Sequence, residues 1–100
     1  MTPEQQRIAI AEACGWYFMD DSWHYPNGAN AITTPDYLND LNAMHEAVKS
    51  LPQNLKPRYF ACLCAVVSGA ISLNGYSEAT EAIAAQRAEA FLKTLNLWTP

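Results

Sequence analysis

Asn42, His45, Glu46 and Lys49 stand three or four residues apart, so any helix that contains them carries all four on one side. They end a polar stretch, Thr33 to Ala47, that also holds Asp36, Asn39 and Asp40 beside Tyr37, Leu38, Leu41 and Met44. A histidine followed by a glutamate on a helix is part of what zinc enzymes use, but those helices place two histidines at i and i+4. Here the only other histidine is His24, and no suitably spaced cysteines accompany it, so no metal site is expected. The plainer reading is that Asp40 and Asn42 cap and brace a helix start, while His45 makes a local contact and Glu46 is solvated.

A second constellation is aromatic: Trp16, Tyr17, Trp23, His24, Tyr25 and Tyr37. Strand alternation sends Trp23 and Tyr25 to one face and His24 to the other. Aromatic faces can stack a planar ligand or pack on a partner, with Asn27, Asn30 and Asn39 offering donors and acceptors. The competing reading puts Trp16 and Trp23 in the core and the tyrosines at its rim. Arg87 is the one basic residue in an alanine-rich segment. It reads either as an anion contact, such as a ligand phosphate, or as an ion pair with Asp40 or Glu46. The candidate ligand- or partner-binding residues are therefore Trp23, His24, Tyr25, Asn27, Tyr37, Asn42, His45 and Arg87.

Catalytic chemistry finds little support. Cys14 lies near a helix end, where the dipole does not favour a thiolate, and Cys62 and Cys64 sit in the apolar run YFACLCAVV. Ser22 and His24 are not placed to form a nucleophile–base pair. Asp20 and Asp21 read as a turn. There is no glycine-rich phosphate loop, and no cofactor is implied. The chain reads as a binding protein, not an enzyme.

The totals agree with this reading. One hundred residues make one domain, 1–100, and half are hydrophobic, enough for a core. Charged residues make up 16%, against roughly 25% in an average domain, so self-association as a homo-oligomer is expected. Six basic residues against ten acidic ones give a net charge of -4. The basic residues are not clustered, so direct nucleic-acid binding is not expected. Three cysteines, an odd count, suggest a reducing compartment. The N-terminal stretch lacks the pattern of a signal peptide, and no apolar run reaches the length of a membrane span.

The elements that must position these residues follow from local chemistry. Thr2, Pro3 and Gln5 open a first helix by a capping box, and Gly15 closes it. Trp16–Phe18, Trp23–Tyr25 and Ala31–Thr34 read as short antiparallel strands joined by turns at Asp20–Ser22 and Pro26–Gly28. A second helix is capped by Thr34, Asp36 or Asn39 and buries Leu41, Met44, Val48 and Leu51. Pro57 opens a third, apolar nearly all round and so expected to be central. A strand is read at Ile71–Leu73. A last helix begins near Ser77 or Glu78, buries Ala84, Ala88, Phe91, Leu92 and Leu95, and ends at Asn96, with Leu97 and Trp98 folding back as a latch. The class is α+β, a small antiparallel sheet with three or four helices.

Four segments, IAEACGW, YPNG, PDYLNDLNAMHEA and AAQRAEAFLKTLNLW, together resemble the phage ABA sandwich domain, a family of small phage and prophage proteins. The resemblance runs from Ile8 to Trp98, with Asn96 standing where the family usually has glycine. It implies an α/β/α layered fold and a phage origin, but no chemistry. It leads to the expectation of a non-enzymatic phage accessory protein in the host cytoplasm. That protein would bind a host defence protein or a small nucleotide-like signalling molecule; the alternative is a structural or assembly role in the phage particle or its replication machinery.

Overall fold

The computed structural model describes residues 1–68 and 83–99. Among them are four helices, α1 (Pro3–Ala13), α2 (Leu41–Lys49), α3 (Lys56–Ser68) and α4 (Ala84–Thr94), and three strands, β1 (Tyr17–Met19), β2 (Ser22–His24) and β3 (Asn30–Ala31). A short 3-10 turn, Gln53–Leu55, leads into α3. The strands form one antiparallel sheet in the order β1-β2-β3. The class is α+β, as the sequence suggests.

Helix α1 begins and ends by local rules. The Thr2 hydroxyl accepts the Gln5 N–H at 3.1 Å, and Gln5 Oε1 accepts the Thr2 N–H at 2.9 Å. At the other end Gly15 has φ +98. The Trp16 N–H reaches back to Ala11 O and the Gly15 N–H to Glu12 O, so two otherwise orphaned carbonyls are satisfied. A Cβ at Gly15 would lie 3.3 Å from Pro26 Cβ, which brings the helix end against the turn after β2.

The β1–β2 hairpin pairs Met19 with Ser22, leaving a two-residue loop. Its residues Asp20 and Asp21 have φ of 54 and 61. Two left-handed residues in a two-residue loop make a type I′ turn, whose twist matches that of the strands. The acidic pair is therefore turn chemistry. β3 is shorter than expected: Ile32 and Thr33 are bent and exposed.

Of the caps expected for α2, Asp40 is the one used: its carboxylate accepts the N–H groups of Asn42 at 3.0 Å and Ala43 at 3.3 Å, while Thr34, Asp36 and Asn39 precede the helix. Asp36 and Asn39 instead close a separate turn, the Asn39 amide donating to both Asp36 carboxylate oxygens. Starting the helix at Leu41 leaves that side chain 40% exposed, while Met44, Ala47 and Leu51 are buried.

Helix α4 is the hub, packing on α1, α2 and α3 and most extensively on α3. Ala84, Ala88, Ala90, Phe91, Leu92 and Thr94 are buried along it. Its small residues let neighbouring backbones approach while Phe91 fills the space between them. Ile83 is extended before it, so the helix opens at Ala84. Ser77 and Glu78, where the sequence places its start, and the Ile71–Leu73 strand lie outside the described residues. Helix α3 is less covered than its composition suggests: Tyr59 and Leu63 are buried, but Phe60, Ala61 and Ala65 are exposed. One face packs on α4 and the opposite face stays open.

Asn96 ends α4 with φ 59. The Leu97 N–H returns to Leu92 O at 2.8 Å and the Asn96 N–H to Lys93 O at 3.1 Å, the same closing motif as in α1. Asn96 Oδ1 also accepts from Arg58 at 3.0 Å, tying this end to α3. Trp98 then packs on the core and under the Lys93 ammonium, whereas Leu97 is exposed, so only half of the expected latch closes.

Replacing Gly15 by alanine is expected to destabilise the protein by about 1–2 kcal/mol, through left-handed strain and the Pro26 contact. Asp40→Ala is expected to cost about 1 kcal/mol through the lost cap. Urea unfolding checks both; a change below a few tenths of a kcal/mol at Gly15 would contradict the packing described.

Candidate functional site

The eight residues singled out from the sequence separate into three places. Asn42 and His45 on α2 and Arg87 on α4 line one pocket of about 440 Å³, with Glu46, Val48 and Lys49 completing it. The side shared by Asn42, His45, Glu46 and Lys49 thus faces a hollow bounded on its far side by Arg87. Lys49 pairs with Glu46 at 3.0 Å, both side chains 73% exposed. An ion pair so open to water contributes little and is readily exchanged. Asp40 caps α2 and Glu46 holds Lys49. Arg87 lies beside Tyr59, where burial pushes the phenol above its ordinary value and the guanidinium pulls it back.

Tyr37 is in the core, only 3% exposed, yet it lines a second pocket of about 290 Å³ with Cys14, Trp16, Pro35 and Ser50. Glu46 borders this pocket as well as the first, so it forms the ridge between them. The Ser50 hydroxyl donates to Ala47 O at 2.6 Å. Its single proton is thereby used, and the 3.6 Å contact between Cys14 Sγ and Ser50 Oγ has the thiol as donor. Burial pushes the Cys14 thiol above its usual value, against hydrogen bonds with Ser50 and Tyr37. Burial, then the neighbouring Cys14, push the Tyr37 phenol above its usual range, while a hydrogen bond with Trp16 pulls the other way. These groups stay neutral and hold the wall of the pocket; they are poor nucleophiles at neutral pH.

Trp23, His24, Tyr25 and Asn27 belong to the sheet and its turn. Trp23 meets Phe18 edge-on, ring centres 5.5 Å apart, and Tyr25 lies 4.5 Å from Trp16. On the other face Tyr17 stacks over His24 at 5.0 Å and 9°. His24 is buried, with Nε2 3.1 Å from Met19 O and 3.4 Å from Ser22 Oγ, and Nδ1 3.4 Å from Gly28 O. Asn27 Oδ1 accepts the Ala29 N–H and shapes the turn that Gly28 completes at φ 93. His24 and Asn27 therefore serve the hairpin's own structure, while Tyr25 keeps 43% of its surface open.

Another hollow of about 540 Å³ lies beside α1, lined by Glu4, Arg7 and Asp36 among others. Two carboxylates against one guanidinium give it the opposite balance from the Lys49–Arg87 pocket. Among the described residues no three His, Cys, Asp or Glu side chains gather to hold a metal, and no helix is long and apolar enough to cross a membrane.

The sequence reading missed Val48 as a pocket wall, since it was placed in the buried stripe; it is half-buried and does both. It also missed the Cys14–Ser50 contact, which joins residues 36 apart and leaves no local signal.

Comparison with known proteins yields no match: no family model matches the chain, and no curated protein or solved structure does.

Cys14, Tyr37 and Tyr59 all hold their protons more tightly folded than at their ordinary values of 9.0, 10.0 and 10.0. The unfolded chain releases those protons first, so their contribution to stability is full below about pH 9 and is lost as pH rises beyond it. Urea unfolding from pH 7 to 11 is expected to show a fall in stability starting near pH 9, shallower in Tyr37→Phe than in the parent. A flat profile would contradict the burial of these groups.

Proposed function

We propose that this chain is a non-enzymatic binding protein whose α2–α4 pocket takes a small nucleotide-like anion. The observation that carries the reading is the pairing of Lys49 and Arg87 around a hollow of about 440 Å³ that also presents Asn42 and His45. That volume is in the range of small-ligand pockets, roughly 300–1,000 Å³. A phosphate would replace Glu46 as the partner of Lys49 at small cost, because the exposed pair contributes little. The Arg87 guanidinium supplies planar, directional donors to phosphate oxygens. The Asn42 amide and the His45 ring supply the mixed donors and acceptors that a base or sugar edge needs, and Val48 supplies an apolar wall.

The biological setting of the proposal rests on the resemblance to the phage ABA sandwich domain. In that setting the chain acts in the host cytoplasm as a phage accessory protein. It sequesters a nucleotide-like signal and so blunts a host defence. Sequestration needs a preformed site and no bond-making groups; the three cysteines are half-buried, and the Ser22 hydroxyl, 3.4 Å from His24 Nε2, is equally close to Met19 O.

Calorimetric titration with a purine mononucleotide and with the matching nucleoside tests this reading. Binding is expected for the nucleotide, and at least tenfold weaker for the nucleoside. Lys49→Ala and His45→Ala, both on the exposed side of α2, are expected to weaken nucleotide binding about five- to tenfold, roughly 1–1.4 kcal/mol, with the far-ultraviolet circular dichroism unchanged. Equal affinity for nucleotide and nucleoside, or no binding of either at millimolar concentration, would overturn the reading and favour a structural role in phage assembly.

A further inference from the structure

We propose that the ligand of the α2–α4 pocket is a dinucleotide, whose second base enters the neighbouring pocket walled by Trp16, Pro35 and Tyr37. This rests on the anion-binding reading of the first pocket and extends it. The two pockets lie on adjacent strips of one helix. Asn42 and Lys49 line the first; Ala43 and Ser50, each the next residue in the chain, line the second. One residue is a step of about 100° around a helix, roughly 9 Å along its outer surface. Glu46 borders both pockets and is the ridge that a ligand occupying the two must cross.

The chemistry changes across that ridge. The first pocket carries Lys49 and Arg87. Among the described residues that line the second there is no lysine or arginine. Its walls are the rings of Trp16, Pro35 and Tyr37, and α2 offers it the methyl groups of Ala43 and Ala47. Methyl groups at i and i+4 leave a slot that longer side chains would fill. Such a lining suits a flat ring system. At about 290 Å³ the slot falls just under the range of pockets that hold a small ligand whole, roughly 300–1,000 Å³, so it serves as a side compartment. Trp16 is braced there by Tyr25 at 4.5 Å. At the rim the Ser50 hydroxyl gives its proton to Ala47 O and accepts from the Cys14 thiol. Its second lone pair is an acceptor for the exocyclic amine of a base.

The ridge selects what connects the two ends. A carboxylate repels a phosphate and accepts from a hydroxyl. When the linking phosphate takes Lys49, Glu46 loses its partner at 3.0 Å and becomes free to accept from a ribose. The phosphate therefore stays between Lys49 and Arg87, the first nucleoside meets Asn42 and His45, and the second ribose crosses Glu46 with its base in the Trp16 slot.

Calorimetric titration of the full chain with the linear diadenosine dinucleotide (one linking phosphate) and with adenosine monophosphate tests this. The dinucleotide is expected to bind about tenfold tighter or more, the usual gain from stacking one base on an aromatic ring. It carries less charge than the monophosphate, so charge cannot supply the gain. Ala43→Leu, which fills the slot, is expected to abolish the advantage and leave monophosphate affinity within about twofold, with circular dichroism unchanged. Tryptophan emission gives a second reading: the dinucleotide is expected to quench it, the monophosphate not, and the quenching to vanish in Trp16→Phe. Monophosphate binding with no gain for the dinucleotide would overturn this inference alone, as would a gain that survives both Ala43→Leu and Trp16→Phe. Binding of neither ligand would overturn it together with the reading of the first pocket.

Discussion

The burial of α4 by three other helices is the constraint on which the rest depends. Phe91 and Leu92 are fully enclosed, and Ala84, Ala88 and Ala90 bring α1, α2 and α3 close around them. Removing a buried phenylalanine of this kind typically costs about 3–5 kcal/mol, a large part of the stability of a small domain. The ends of the helix are fixed with equal definition. Gln86 accepts the Ile83 N–H at 3.0 Å at one end, and Asn96 turns the chain left-handed at the other while holding Arg58. Because α4 cannot shift without opening the core, Arg87 is presented to α2 at a fixed height.

The pocket is a by-product of that packing. α2 buries Met44 and Ala47 in the core, and the adjacent side of the same helix, three or four residues out of phase, turns Asn42, His45, Glu46 and Lys49 toward Arg87. The helices that bound the hollow are fixed by the core, and the Lys49–Glu46 pair at 3.0 Å closes part of its rim. Half-buried Cys14, buried Tyr37 and exposed Ser50 back the other flank of α2, beside the ridge on which Glu46 stands. The sheet contributes to neither wall of the first pocket; its aromatics are turned to each other.

Much of this architecture could be read from short-range chemistry. The capping box at Thr2 and Gln5, the glycine stop at position 15, the Asp20–Asp21 turn and the left-handed Asn96 each depend on residues within a few positions, and each stands where the sequence put it. For α2 the sequence offered Asp40 beside Thr34, Asp36 and Asn39, all competent caps. The choice of Asp40 is made by the separate turn that Asp36 and Asn39 close between themselves. The extent of β3 was overread, since β-branched Ile32 and Thr33 suit a strand by type but are bent and exposed, with no core face to bury. For the site, helical spacing was enough to group Asn42, His45, Glu46 and Lys49. Reading Arg87 as a partner for Asp40 or Glu46 already set it opposite this side of α2. That Tyr37 stands behind Glu46 and not beside Trp23 and Tyr25 depends on contacts between residues far apart in the chain, for which a single sequence holds no periodicity.

The central claim is that a preformed cationic pocket between α2 and α4 is where this molecule meets its ligand. The most direct measurement is nitrogen-15 chemical-shift mapping of the labelled full chain during titration with a purine mononucleotide. The account requires saturable shifts concentrated at Asn42, His45, Lys49 and Arg87, with the amides of β1 and β2 unmoved. Shifts confined to the sheet, or spread evenly over the molecule without saturation, would contradict it.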